Sequence, residues 1–196
     1  MTPLLTGTVP VDLASVYNVA GIYDEGATFA PSASLDGDGF ALSGQLLGRE
    51  QVGSGVVFAV GPANAPDAVT GKIVTLPQGK FDSLKILAVG VNGDQELQTF
   101  TVTYADGTSS TFTQSLSDWA SPQNFTGESV AVTMPYRISA DGSKDSRNFY
   151  LFVYSFGLDS NKVVRSLSLP MNREALVFAA TLVPARSPRR ELMPAK

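Results

Sequence analysis

Three groupings in this sequence have the residue types and spacing for chemistry: close pairs of carboxylates, aspartates set among glycines, and aromatic residues beside polar ones. The paired acids are Asp24 with Glu25, Asp36 with Asp38, and Asp94 with Glu96. Two carboxylates facing each other across a sugar cleft at roughly 5 to 9.5 Å hydrolyse glycosides. All three pairs sit in Gly-rich stretches, however, where aspartate and asparagine build turns by bonding their own backbone. The turn reading is therefore preferred, and a small carboxylate-dependent glycoside hydrolase is the remotest of three functional readings.

The run SLDGDGF spaces Asp36 and Asp38 as oxygen ligands are often spaced, with glycines that let backbone carbonyls converge. A structural calcium held by Asp36 and Asp38 is the candidate cofactor. The run is not an EF-hand, because Phe40 stands where a third Asx is needed and Leu47 where the twelfth-position glutamate belongs. The chain has no histidine and no cysteine, so Ser-His-Asp, Cys-His and His-ligated zinc chemistry are excluded. It is read as non-catalytic, with any catalytic activity in a neighbouring domain.

Sugars stack on exposed aromatic rings while carboxylates, amides and guanidinium groups bind their hydroxyls. The candidate ligand-binding residues are accordingly Trp119 with Asp118, Tyr136 with Arg137, and Tyr17, Asn18 and Tyr23 in the first long loop. Trp119 has a competing reading, as a ring that caps the edge of the core. Tyr150, Phe152, Tyr154 and Phe156 share one face of a strand and read as core rather than as a sugar platform. Lys144 and Arg147 add polar reach near that strand's start.

Strands must position these side chains. The segment FTVTYADGTSSTFTQSLSDW, residues 100 to 119, describes a β-hairpin whose register follows from its turn. A two-residue Asp106-Gly107 loop would turn Phe112 away from Phe100, Val102 and Tyr104. A three-residue loop, Ala105-Asp106-Gly107 with Gly107 left-handed, pairs Phe100 with Phe112 and gathers Phe100, Val102, Tyr104, Phe112 and Leu116 on one face. Thr101, Thr103, Ser109, Thr111, Thr113 and Ser115 then take the wetter face. Further strands are expected at 40–46, 56–60, 72–76, 83–91, 98–104, 109–116, 129–134, 148–156, 163–169 and 175–183. The runs LKILAVGV and FYLFVYSF are apolar on both faces and so belong at the centre of a sheet.

The chain has 196 residues, 43% of them hydrophobic, with 18 Gly and 12 Pro. That pattern points to one all-β domain, a sandwich or barrel of about ten strands spanning 11–183, between a linker at 1–10 and a disordered tail or linker at 184–196. The net charge of −4 argues against nucleic acid, which needs a basic face. No apolar run approaches the roughly 20 residues that span a bilayer, so no membrane partner is expected. The opening MTPLLTGTVP lacks the basic region and apolar core of a signal peptide.

The runs VDLASVYNVAGI, DGDGF, LPQGKFDSLKILAVGVNG, the hairpin, TMPYR and KVVRSLSLPMNREALVFAATLV together resemble a β-sandwich module of secreted bacterial carbohydrate-active enzymes, of the galactose-binding-domain-like superfamily. The resemblance covers about residues 11 to 183. It implies a jelly-roll sandwich, often with a structural calcium, whose loops bind a polysaccharide or oligosaccharide beside a catalytic domain. It also implies a secreted, extracellular location as part of a larger glycoside hydrolase. The second reading is a structural or adhesive sandwich that packs on a partner domain without binding sugar.

Overall fold

The computed structural model describes residues 4–185. The strands in chain order are β1 (Val9–Pro10), β2 (Ile22–Tyr23), β3 (Phe40–Ser43), β4 (Glu50–Gly53), β5 (Val56–Ala59), β6 (Ile73–Thr75), β7 (Phe81–Gly90) and β8 (Gln95–Tyr104). They continue with β9 (Ser109–Leu116), β10 (Glu128–Met134), β11 (Arg137–Ser139), β12 (Lys144–Asp145), β13 (Phe149–Gly157), β14 (Val164–Ser168) and β15 (Ala175–Pro184). A single helical turn, α1 (Gly44–Leu47), is capped by Ser43, whose hydroxyl accepts the Leu46 N–H. The protein is an all-β sandwich, the one of the two architectures open to the strand pattern that the resemblance implies.

Two sheets form the sandwich, ordered β1-β15-β7-β13-β10 and β6-β14-β8-β9. Phe156 of β13 meets Phe100 of β8 at 5.1 Å and stacks on Phe112 of β9 at 5.0 Å, which locks the two sheets face to face. The opposite face of the larger sheet is covered as well. The β4–β5 hairpin lies over it, with the Thr181 hydroxyl donating to the Val57 carbonyl at 2.7 Å and Gly53 close against Val153. That double cover explains why β15 is buried from Ala175 through Leu182, and why β7 and β13, apolar on both faces, sit in the interior of the sheet.

The hairpin of β8 and β9 has the three-residue loop. Phe100 pairs with Phe112 and Thr103 with Ser109, the Tyr104 N–H reaches the Thr108 carbonyl, and Gly107 takes φ +83°. Only a residue without Cβ adopts that angle cheaply. Phe100, Val102, Tyr104 and Leu116 are buried and Phe112 is half-buried, all on one face.

Five strands go beyond the expected ten, and all are short: β1, β2, β4, β11 and β12. Four residues or fewer carry too little alternation to signal a strand. Val9 and Pro10 correct the reading of 1–10 as linker, since they pair with Leu182 and Thr181. The expected tail of 184–196 lies outside the described residues except for Pro184, which ends β15, and Ala185. A third sheet, β12-β11-β3-β2, closes the end of the sandwich where the first loop runs. Among the described residues, no helix is long and apolar enough to cross a membrane.

Candidate functional site

The first loop is folded by its own side chains. Asp12 accepts the Ala14 N–H, the Val16 and Tyr17 N–H groups return to the Leu13 carbonyl, and buried Val11 and Leu13 anchor the turn in the core. The ring of Tyr17 packs against the core cluster while it also lines an open cleft of about 340 Å³ together with Asp12, Arg49, Ala59, Gly61 and Pro62. A second chamber of about 290 Å³ has Ile22, Asp24, Gly44, Gly48 and Ala63 in its wall and shares Arg49, Gly61 and Pro62 with the first. Both lie near the lower end of small-molecule pocket volumes, about 300 Å³.

Arg49 stands where the chambers meet. It is exposed, and among the described residues its guanidinium makes no ion pair or hydrogen bond. The Tyr17 hydroxyl likewise has no hydrogen-bond partner among them. Burial, reinforced by the carboxylates of Asp67 and Asp12 and opposed by Arg49, raises the Tyr17 phenol above its ordinary range, so it is a neutral hydroxyl at physiological pH. Gly48, whose Cβ position meets nothing within 4 Å, lets a ligand approach the backbone closely.

Beneath the cleft lies Asp67, fully buried. Its carboxylate accepts the Gly21 N–H at 3.0 and 3.2 Å and the Ile22 N–H at 2.9 Å. Burial pushes its carboxyl up to about 8, against those two backbone donors, which pull it down. Gly21 and Gly61 make room for it: a Cβ on Gly61 would lie 2.8 Å from the Asp67 Cα and Cβ.

The structure distributes the sequence-derived candidates differently from expectation. Trp119 is only 3% exposed, packed against Phe149 at 4.9 Å, with its backbone N–H on the Gly90 carbonyl. It caps the core, and no sugar reaches its face. Asp118 accepts the N–H groups of Gly93 and Ala120 and shapes the loop. Arg137 is held between rings, its guanidinium carbon 3.4 Å from the Phe40 centroid and 4.8 Å from that of Phe149, and it bonds Asp145 at 2.8 Å. Tyr136 donates to Glu25 at 2.5 Å, and Lys144 pairs with the same carboxylate at 2.6 Å, so that cluster ties the first loop to the β11–β12 hairpin. Tyr23 is buried against Phe29, rings 3.9 Å apart, and donates to the Ala33 carbonyl. Asn18 clasps Thr70, donating to its carbonyl and accepting its N–H. Of these candidates, Tyr17 is the one that lines the open cleft described above.

The acids of SLDGDGF do not suit calcium. Asp36 Oδ1 accepts the Ser34 hydroxyl and the N–H groups of Asp38 and Phe40, while Oδ2 faces the Arg137 guanidinium at 3.8 Å. A cation of the protein already occupies the place a metal would need. Asp38 is exposed, and among the described residues no group of three or more His, Cys, Asp or Glu could hold a metal ion.

Sequence reasoning does not find Arg49, Asn64 or Asp67. The nearest signal is GPANAPD, an asparagine bracketed by prolines in which backbone freedom is already restricted. A family model described as the AziU2-like beta-sandwich domain matches residues 8–186. No curated protein matches the chain.

Proposed function

We propose, from the premise that this chain belongs to the AziU2-like beta-sandwich domain family, that it is a non-catalytic carbohydrate-binding or ancillary domain of a larger secreted carbohydrate-active enzyme. Its ligand is a polysaccharide chain end or oligosaccharide, and the cleft of Tyr17 and Arg49 receives it. One observation carries this reading: an aromatic hydroxyl and a guanidinium, neither hydrogen-bonded among the described residues, converge on one open cleft, whereas Trp119 is packed in the core and the Tyr23 and Tyr136 hydroxyls are engaged by Ala33 and Glu25. Asp12 supplies a carboxylate on the same wall, so stacking, donor and acceptor are all present. The resemblance to galactose-binding-domain-like modules supports the ligand class and the attachment to a catalytic neighbour.

A shallow, solvent-open cleft of this kind gives weak affinity, millimolar to micromolar, about 4 to 8 kcal/mol. Affinity electrophoresis of the full chain against a polysaccharide panel tests it. Retardation by at least one glycan, lost in Tyr17→Ala and reduced in Arg49→Ala, is the expected result. Migration unchanged on every glycan refutes the assignment.

A further inference from the structure

The second chamber contains an acceptor that is held in place more firmly than its exposed position requires. Asp24 is bound at two points by one side chain: its N–H donates to Asn64 Oδ1 at 3.0 Å, and Asn64 Nδ2 donates to Asp24 Oδ2 at 2.6 Å. Asn64 does this from a left-handed backbone, φ +63°, with its own N–H on the Ile22 carbonyl at 2.9 Å. Non-glycine residues in that region are uncommon, asparagine being among the more tolerant, and such backbone strain gathers at ligand sites. Asp24 Oδ1 has only a long contact, 3.4 Å to Gln45, so lone pairs remain open.

Arg49 lines the same chamber, and among the described residues its donors are unused. A carboxylate acceptor facing guanidinium donors complements two adjacent hydroxyls, since one hydroxyl donates and its neighbour accepts. The open side of Gly48 leaves space for the ring that carries them. An anionic ligand is disfavoured, because Asp24 lines this chamber and Asp12 the adjoining one, and the two share Arg49 as their cation.

We infer that the second chamber is a specificity subsite for an uncharged sugar with two adjacent free hydroxyls, in which Asp24 accepts, Arg49 donates, and Asn64 is the residue that positions Asp24. The inference rests on the carbohydrate reading above and goes beyond it in naming what the site discriminates.

Isothermal titration or ligand-observed NMR separates the two. The full chain is titrated with neutral oligosaccharides that bind it, with analogues deoxygenated or O-methylated at one hydroxyl of the terminal diol, and with a terminal uronate. A loss of tenfold or more on removal of either hydroxyl is expected, with the same loss in Asp24→Asn. Asn64→Gly is the decisive variant, because glycine keeps the left-handed backbone without strain and removes only the clasp. It should weaken the diol ligand about as much as Asp24→Asn while leaving affinity for the deoxy analogue unchanged, which a general loss of fold would not do. If Tyr17→Ala abolishes binding but Asp24→Asn and Asn64→Gly bind diol and deoxy ligands alike, the subsite is refuted and the cleft survives. If no neutral or acidic glycan binds, both fail.

Discussion

The Asp67 carboxylate takes the Gly21 N–H on both of its oxygens, at 3.0 and 3.2 Å, and among the described residues it makes no ion pair. Its carboxyl is therefore pushed up to about 8 by burial, far above the value of an unfolded aspartate near 3.9. Between those values the folded state holds a proton that the unfolded state has lost. The stabilisation is complete below about pH 4, declines as pH rises by at most about 1.4 kcal/mol per unit, and is gone above about pH 8. Thermal melts of the full chain from pH 5 to 9 should show this decline. Asp67→Asn should flatten it, at a cost of about 1 to 3 kcal/mol near pH 5, because the amide places donors against backbone donors. An equally steep decline in Asp67→Asn removes Asp67 as its cause.

Glu25 titrates in the opposite sense. Lys144, Tyr136 and Ser43 hydrogen-bond its carboxylate and hold it down to about 2. Its contribution is present above the ordinary value of 4.5 and is lost as pH falls through about 2. Glu25→Gln should melt earlier than the parent at pH 7, and the two curves should converge as the pH approaches 2. A constant gap down to that pH contradicts the pairing as its source.

Trp119 should report on the core and ignore ligand. Its emission should be that of a buried indole and should not change on glycan addition. Trp119→Ala should destabilise by about 3 to 5 kcal/mol through the cavity left beside Phe149. Fluorescence quenching by a bound oligosaccharide would show that the ring is reached after all.

Gly61 should be intolerant of any side chain. A Cβ there would meet Asp67 atoms, backbone included, at 2.8 to 3.1 Å, and overpacking of this kind costs about 1 to 3 kcal/mol. Gly107→Ala contrasts with it, since nothing lies within 4 Å of its Cβ and the cost, about 1 kcal/mol, comes from φ +83° alone. Urea melts of the two variants should rank them in that order.

The hairpin register was legible because one slip would have turned Phe112 out of the core, and a period of two offers only two choices. The central placement of β7 and β13 was legible for a similar reason, since strands apolar on both faces need cover on both. The core-capping reading of Trp119 was legible, but the uses of Arg137 and Tyr136 were not. An aromatic beside a charge reads the same whether the pair faces a sugar or, as Arg137 does, stacks on Phe40 from β3.

From its own residues the chain determines strands, turns and the absence of histidine and cysteine chemistry, since these depend on neighbours a few positions apart. Tertiary structure alone decides which polar groups stay free. Asp24 and Asn64 are 40 positions apart, and Gly21 and Asp67 are 46 apart. Whether a side chain is consumed by such a partner or left to meet a ligand depends on which distant segments the sheets bring together, and no local pattern encodes that.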